Sequence, residues 1–105
     1  MPVTVSVWSE PQVELSELFP KQNEDVHSTT LDGESVLLNL STGRYYTLNA
    51  VGSLVWAQCT GTHSLAHILS AISERFDVAC QQAHTDLVDL VIQLRQEGLL
   101  HCERR

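Results

Sequence analysis

The stretch Gly43-Arg44-Tyr45-Tyr46-Thr47-Leu48-Asn49-Ala50-Val51-Gly52-Ser53-Leu54-Val55-Trp56 decides how this chain is read. Its first half is β-like, with two tyrosines, a threonine and a leucine after a turn glycine. Its second half switches to helical spacing, with Val51, Leu54, Val55 and Trp56 as apolar positions. Asn49 stands at the change and is a good N-cap, because a short side-chain oxygen accepts from an orphan N–H of the first turn. A strand over Arg44–Leu48 therefore runs directly into a helix, with Gly61 as its stop.

Upstream the period stays β. Val26 to Leu31 reads as one strand, and Ser35 to Leu40 as the next. Asp32-Gly33 between them is a tight-turn signal. Ser41-Thr42-Gly43 fits a three-residue hairpin loop into the third strand. That loop sets Leu40 opposite Arg44, Leu38 opposite Tyr46 and Val36 opposite Leu48, so Val36, Leu38, Tyr46 and Leu48 are expected on the inner face. A loop one residue shorter would exchange Tyr46 for Tyr45.

Downstream, Ser64 caps a second helix carrying Leu65, Ile68, Leu69, Ile72 and Phe76. A third helix runs from about Gln81 to Glu97 and stops at Gly98, after which Leu99 and Leu100 fold back on the core. The order predicts an α+β domain: a small winged-helix-like fold with a three-stranded antiparallel sheet followed by three helices. It occupies residues 25–105. Residues 1–24 lack a sustained period, are interrupted by Pro11 and Pro20, and are expected to be an extended or partly disordered arm in which Val3, Val5 and Val7 alternate.

Composition narrows the function. The 105 residues carry a net charge of −7 and a single lysine, Lys21. Nucleic-acid binding rests on clustered Lys and Arg that displace counterions, and an anionic membrane surface would repel this chain, so neither is expected as a partner. Three widely spaced cysteines, Cys59, Cys80 and Cys102, without a CxxC, read as reduced thiols of a cytoplasmic protein. His63 and His67 have helical spacing but no evident third ligand, so no metal is expected. Asp32, Glu34, Asp86 and Asp89 look solvated, and no phosphate loop, GxGxxG or GxSxG occurs. The sequence thus points away from an enzyme and toward no cofactor.

Two features suggest binding instead. The third strand ends a meander, so it is a sheet edge, and it has no Pro and one charge, at Arg44. Such an edge invites an added strand. On the third helix Ala83, Leu87, Leu90, Val91 and Leu94 form a core arc, while Val88 and Ile92 extend it beyond the ~100° a surface helix needs. Val88 and Ile92 are either the wall of a peptide groove or a contact for the N-terminal arm or a second copy. A homodimer through the open edge is the corresponding oligomeric expectation.

The Thr42-Gly43 turn, the Tyr45-Tyr46-x-Leu48-Asn49 strand exit and Trp56 occur here in order with Phe76-Asp77-Val78 and Leu94-x-x-x-Gly98-Leu99-Leu100. In that order, from about Asp25 to Leu100, they resemble the PqqD-like family of recognition elements for ribosomally made, later modified peptides. The resemblance implies a peptide adaptor with no catalytic residue. A precursor leader peptide would lie as an added strand beside the third strand, against the third helix. The implied peptide-binding residues are Arg44, Tyr45, Tyr46, Thr47 and Leu48 with His84, Val88, Val91, Ile92 and Arg95. The implied enzyme partner is a leader peptidase of lasso-peptide assembly or a radical SAM enzyme. The competing classes are a structural or antitoxin-like protein-binding module and a winged-helix DNA-binding protein, the latter opposed by Asp86, Asp89 and Glu97 on the third helix.

Overall fold

The computed structural model describes residues 15–104, apart from the side chain of Cys80. A single 3-10 turn, Leu15–Glu17, leads into β1 (Leu18–Gln22). Then come β2 (Val26–Leu31), β3 (Glu34–Asn39) and β4 (Tyr45–Leu48), followed by α1 (Ala50–Gln58), α2 (Leu65–Arg75), α3 (Cys80–Gln96) and β5 (Leu100–Arg104). Strands β2, β3 and β4 form an antiparallel sheet in that order, so β4 is an edge strand; β1 and β5 pair in a second, two-stranded sheet. The expected architecture of a three-stranded meander and three helices is present, and the two-stranded sheet is an addition to it.

The β2–β3 turn is built by Asp32 at φ +55° and Gly33 at φ +80°. Two successive left-handed residues match the twist of a two-residue hairpin. The β3–β4 loop is four residues long rather than three. Asn39 N–H donates to Arg44 O at 2.9 Å, and Gly43 N–H donates to Asn39 O at 2.8 Å, closing Leu40–Gly43. Asn39 Oδ1 also accepts from Ser41 N–H at 2.9 Å, a side-chain turn that starts the loop one residue early.

That extra residue moves the register. Leu37 faces Tyr46, Ser35 faces Leu48, Val36 faces Thr47 and Leu38 faces Tyr45. Tyr46 and Leu48 lie on the inner face as expected. Val36 and Leu38 do not: they are 46% and 37% exposed on the outer face, and Leu37, fully buried, takes the core position with Ser35 and Asn39.

The helices cover the inner face. Asn49 Oδ1 caps α1 by accepting from Gly52 N–H at 2.9 Å, and Ser64 Oγ caps α2 by accepting from His67 N–H at 3.1 Å. Helix α1 stops at Cys59, short of Gly61, whose N–H turns to Pro20 O at 2.9 Å. Val55, Trp56, Leu65, Ile68, Ile72, Ala83, Leu87, Val91 and Leu94 build the core with Leu37 and Leu48. Each fully buried Leu or Ile contributes about 1.5–3 kcal/mol relative to exposure.

Gly98, at φ +75°, ends α3 in a Schellman motif: its N–H donates to Arg95 O at 3.0 Å, and Leu99 N–H donates to Leu94 O at 2.9 Å. The turn drives Leu99 and Leu100 into the core, as expected, and starts β5. Residues 18–22, placed in the arm by the sequence reading, are extended, but as a paired strand: Leu18 faces Arg104 and Gln22 faces Leu100. Gln22 N–H also donates to Cys59 O, and Asn23 N–H to Leu99 O, both at 2.9 Å. The alternating valines Val3, Val5 and Val7 lie outside the described residues.

Candidate functional site: a cleft between the edge strand and the last helix

Among the described residues, strand β4 leaves one side unpaired. In an antiparallel ladder, residues that exchange hydrogen bonds alternate with those that do not. Asn39 bonds to Arg44 across the sheet, so Leu37–Tyr46 and Ser35–Leu48 are the next bonded pairs and their polar groups point toward β3. Tyr45 and Thr47, opposite Leu38 and Val36, therefore direct N–H and C=O to the open edge. The parity that sequence alone left open is fixed by the loop.

Beside that edge lies a cleft against α3. Its wider part, about 690 Å³, is lined by Glu34, Thr47, Leu48, Asn49, Val51, Gly52, Asp86, Leu90 and Gln93. A neighbouring part of about 400 Å³ is lined by Tyr46, Thr47, Leu48, Leu90, Gln93, Leu94, Gln96, Glu97 and Leu99. Thr47, Leu48, Leu90 and Gln93 border both, so the two parts form one groove running along β4. Leucines make its floor, and amides and carboxylates line its rims.

One end is closed by side chains from both walls. Tyr46 Oη donates to Glu97 Oε1 at 2.8 Å, and Arg44 lies 3.6 Å from the same oxygen. The hydrogen bond to Glu97 raises the Tyr46 pKa, so this phenol stays protonated as a donor at neutral pH. These contacts are solvent-exposed and therefore weak; their effect is to orient Tyr46 across the groove.

The helix residues anticipated from sequence are distributed differently. The groove takes Asp86, Leu90, Gln93, Leu94 and Gln96 from α3 and Glu97 from its C-terminal cap. Val88 and Ile92 sit two residues either side of Leu90, about 200° around the helix, and with His84 and Arg95 they do not line the groove. Burial raises the pKa of Cys102 and the nearby Arg95 charge partly opposes that rise, which places this flank toward β5. Val91 is fully buried in the core. All five strand residues lie on β4 or at its start, and Tyr46, Thr47 and Leu48 line the groove. Apolar periodicity alone puts Leu90 in the core and gives Asp86 and Gln93 no part in the groove; the one signal in the sequence is their spacing with Leu90 and Glu97 on a single helical stripe.

Burial pushes the Cys59 thiol up to about 12 and the Cys102 thiol up to about 11, so both are protonated at neutral pH rather than nucleophilic thiolates. His63 and His67 stack ring on ring at 4.6 Å. Among the described residues no three His, Cys, Asp or Glu side chains gather as metal ligands. Among them also, no helix is long and apolar enough to cross a membrane.

Residues 34–100 match the family model of coenzyme PQQ synthesis protein D. The chain belongs to the PqqD family. Two solved structures share this architecture. The structure of TbiB1 in complex with the TbiA(beta) leader peptide superposes with a TM-score of 0.72 at 34% identity, covering 77% of this chain and 94% of that one. A lasso peptide synthetase B1 complexed with the leader peptide superposes at 0.70 with 23% identity, covering 79% of this chain and 98% of that one, a likeness of fold. No match was found among curated protein sequences.

Proposed function

We propose that this chain binds the leader segment of a ribosomally synthesised precursor peptide and presents it to a modifying enzyme, without altering the peptide itself. The single observation that carries this reading is the side of β4 left unpaired among the described residues, with Tyr45 and Thr47 directing polar groups outward beside a leucine-floored groove. An extended peptide adds there as a fourth strand. Backbone bonds give affinity, and alternate side chains enter the groove to give specificity. The contact residues are Arg44 to Leu48 with Asp86, Leu90, Gln93, Leu94 and Gln96 of α3 and its cap residue Glu97. The leader peptide bound by TbiB1, a relative at 34% identity, supports the same ligand class for this chain.

The enzyme receiving the peptide is a leader peptidase or a radical SAM enzyme, and the setting is the cytoplasm. A co-purification of tagged protein with each candidate enzyme, with and without leader, discriminates the two. Isothermal titration with a candidate precursor leader should give a dissociation constant between nanomolar and micromolar, about 8–12 kcal/mol. Mass spectrometry should return the peptide unchanged. Cleavage or modification of the leader by this chain alone would defeat the adaptor reading.

A further inference from the structure

The two ends of the groove differ in charge balance. At the Tyr46 end, Glu97 is met by Arg44 and by the Tyr46 hydroxyl. At the wider end, Glu34 and Asp86 line the groove, and among the described residues no Lys, Arg or His joins them there. Neither forms an ion pair among those residues; Asp86 Oδ1 accepts only from the neutral Gln82 amide, at 2.9 Å. The positive end of α1 opens on the same space through Asn49, Val51 and Gly52. It amounts to about half a charge, and Asn49 already caps Gly52 N–H, so two full carboxylates outweigh it.

Leu48, Val51 and Leu90 give this section an apolar floor beneath the carboxylates. An aliphatic stem ending in a cation fits both demands at once: methylenes cover the leucines, and the head reaches the rim. A neutral or acidic side chain meets only one of them. We infer that the wide end of the groove, between Glu34 and Asp86, selects peptides carrying a Lys or Arg at the position that enters it. This inference rests on the peptide-binding reading above and adds the charge class of the ligand. The chain's own net charge of −7 acts in the same direction, drawing basic segments toward the site.

The test is a phage-displayed library of random 12-residue peptides, selected in parallel on the wild-type chain, on the double variant Glu34→Gln/Asp86→Asn and on Thr47→Pro. Both carboxylates are exposed, and circular dichroism confirms that the double variant is folded. Peptides chosen by the wild type and rejected by Thr47→Pro should carry Lys or Arg at one position, a fixed distance from an apolar one. The double variant should lose that preference. Synthetic copies of the selected peptides should bind it about 3–10-fold more weakly, and with a shallower salt dependence, as expected for partly exposed pairs. Neutral or acidic residues at that position, or equal affinity for wild type and double variant, would overturn the inference while leaving strand addition standing. If the wild type selects nothing that Thr47→Pro rejects, strand addition itself falls, and the charge inference with it.

Discussion

Cys59 caps α1 with its Sγ 3.1 Å from Val55 O, fully buried, and burial pushes its pKa up to about 12. In the unfolded chain a thiol titrates near ~8.5. Between those values the unfolded chain has lost a proton that the folded chain still holds, so stability falls as pH rises through that window. The slope from this one group is up to about 1.4 kcal/mol per pH unit. Urea unfolding at several pH values from 8 to 10.5 should show wild type losing stability more steeply than Cys59→Ala. The variant should start lower, from lost packing, and the gap should close with pH. Parallel curves would mean that the thiol is not held protonated. A second pair of residues separates the two flanks of α3. Leu90→Asp should weaken leader binding at least ~10-fold, because it places a carboxylate on the groove floor. Ile92→Asp should leave leader affinity within about twofold in whatever fraction stays folded, as Ile92 lies about 200° away. Titration of both variants, corrected for folded fraction by circular dichroism, checks this assignment; a larger loss at Ile92 would reverse it.

At the scale of elements, β4 sets a sharper test. Proline lacks an N–H, so it is tolerated only where that N–H faces outward. Thr47→Pro should keep the sheet and reduce leader affinity by ~10-fold or more, about one lost ladder bond with a poorly fitting ring. Tyr46→Pro removes a bond to Leu37 inside the sheet and should lower stability by ~1–3 kcal/mol. The two variants, compared by thermal melting and titration, should fail in different measurements; if both only melt the domain, the parity derived from Asn39 and Arg44 is wrong. Much of this layout was legible in the sequence. Asp32-Gly33, Asn49, Ser64 and Gly98 each carry a local signal, since a turn or a cap needs a particular short side chain or a left-handed residue. The β3–β4 register was not legible, because it depends on one side-chain bond, Asn39 Oδ1 to Ser41 N–H, that lengthens the loop. Asn39 sits in a run of otherwise strand-like residues and gave no reason to end the strand there. The groove face of α3 was missed for a related reason. An apolar arc wider than the core demands has two flanks, and periodicity alone does not say which one turns toward β4. The polar flank of Asp86 and Gln93 proved to be the groove, while the apolar flank of Val88 and Ile92 faces away from it.

The described fold is tied together by its first and last strands. Strand β1 pairs with β5, and Gln22 and Asn23 fasten both to the end of α1 and to Leu99. This closure is invisible to a domain boundary that begins at Asp25, since Pro20 and scattered acidic residues mask a short strand whose partner is roughly eighty residues away. Deleting residues 100–105 removes the buried Leu100 and the β5 ladder. The cost should be at least about 2 kcal/mol from the leucine alone, a fall of roughly 8–16 °C in Tm for a domain of this size. Melting curves of the full and shortened chains measure it, and an unchanged Tm would mean that the β1–β5 pair contributes nothing. The groove, between β4 and α3, lies on elements this closure supports without itself depending on β5 side chains, so leader binding by the shortened chain below its Tm should persist.

The central claim is that a leader peptide joins the sheet at β4. Amide hydrogen exchange, resolved residue by residue with and without leader, tests it most directly. Tyr46 and Leu48 bond to β3 and should be protected in both states. Tyr45 and Thr47 should exchange freely alone and become protected, by ~10-fold or more, when the leader binds. Protection confined to α3, with Tyr45 and Thr47 unchanged, would contradict strand addition.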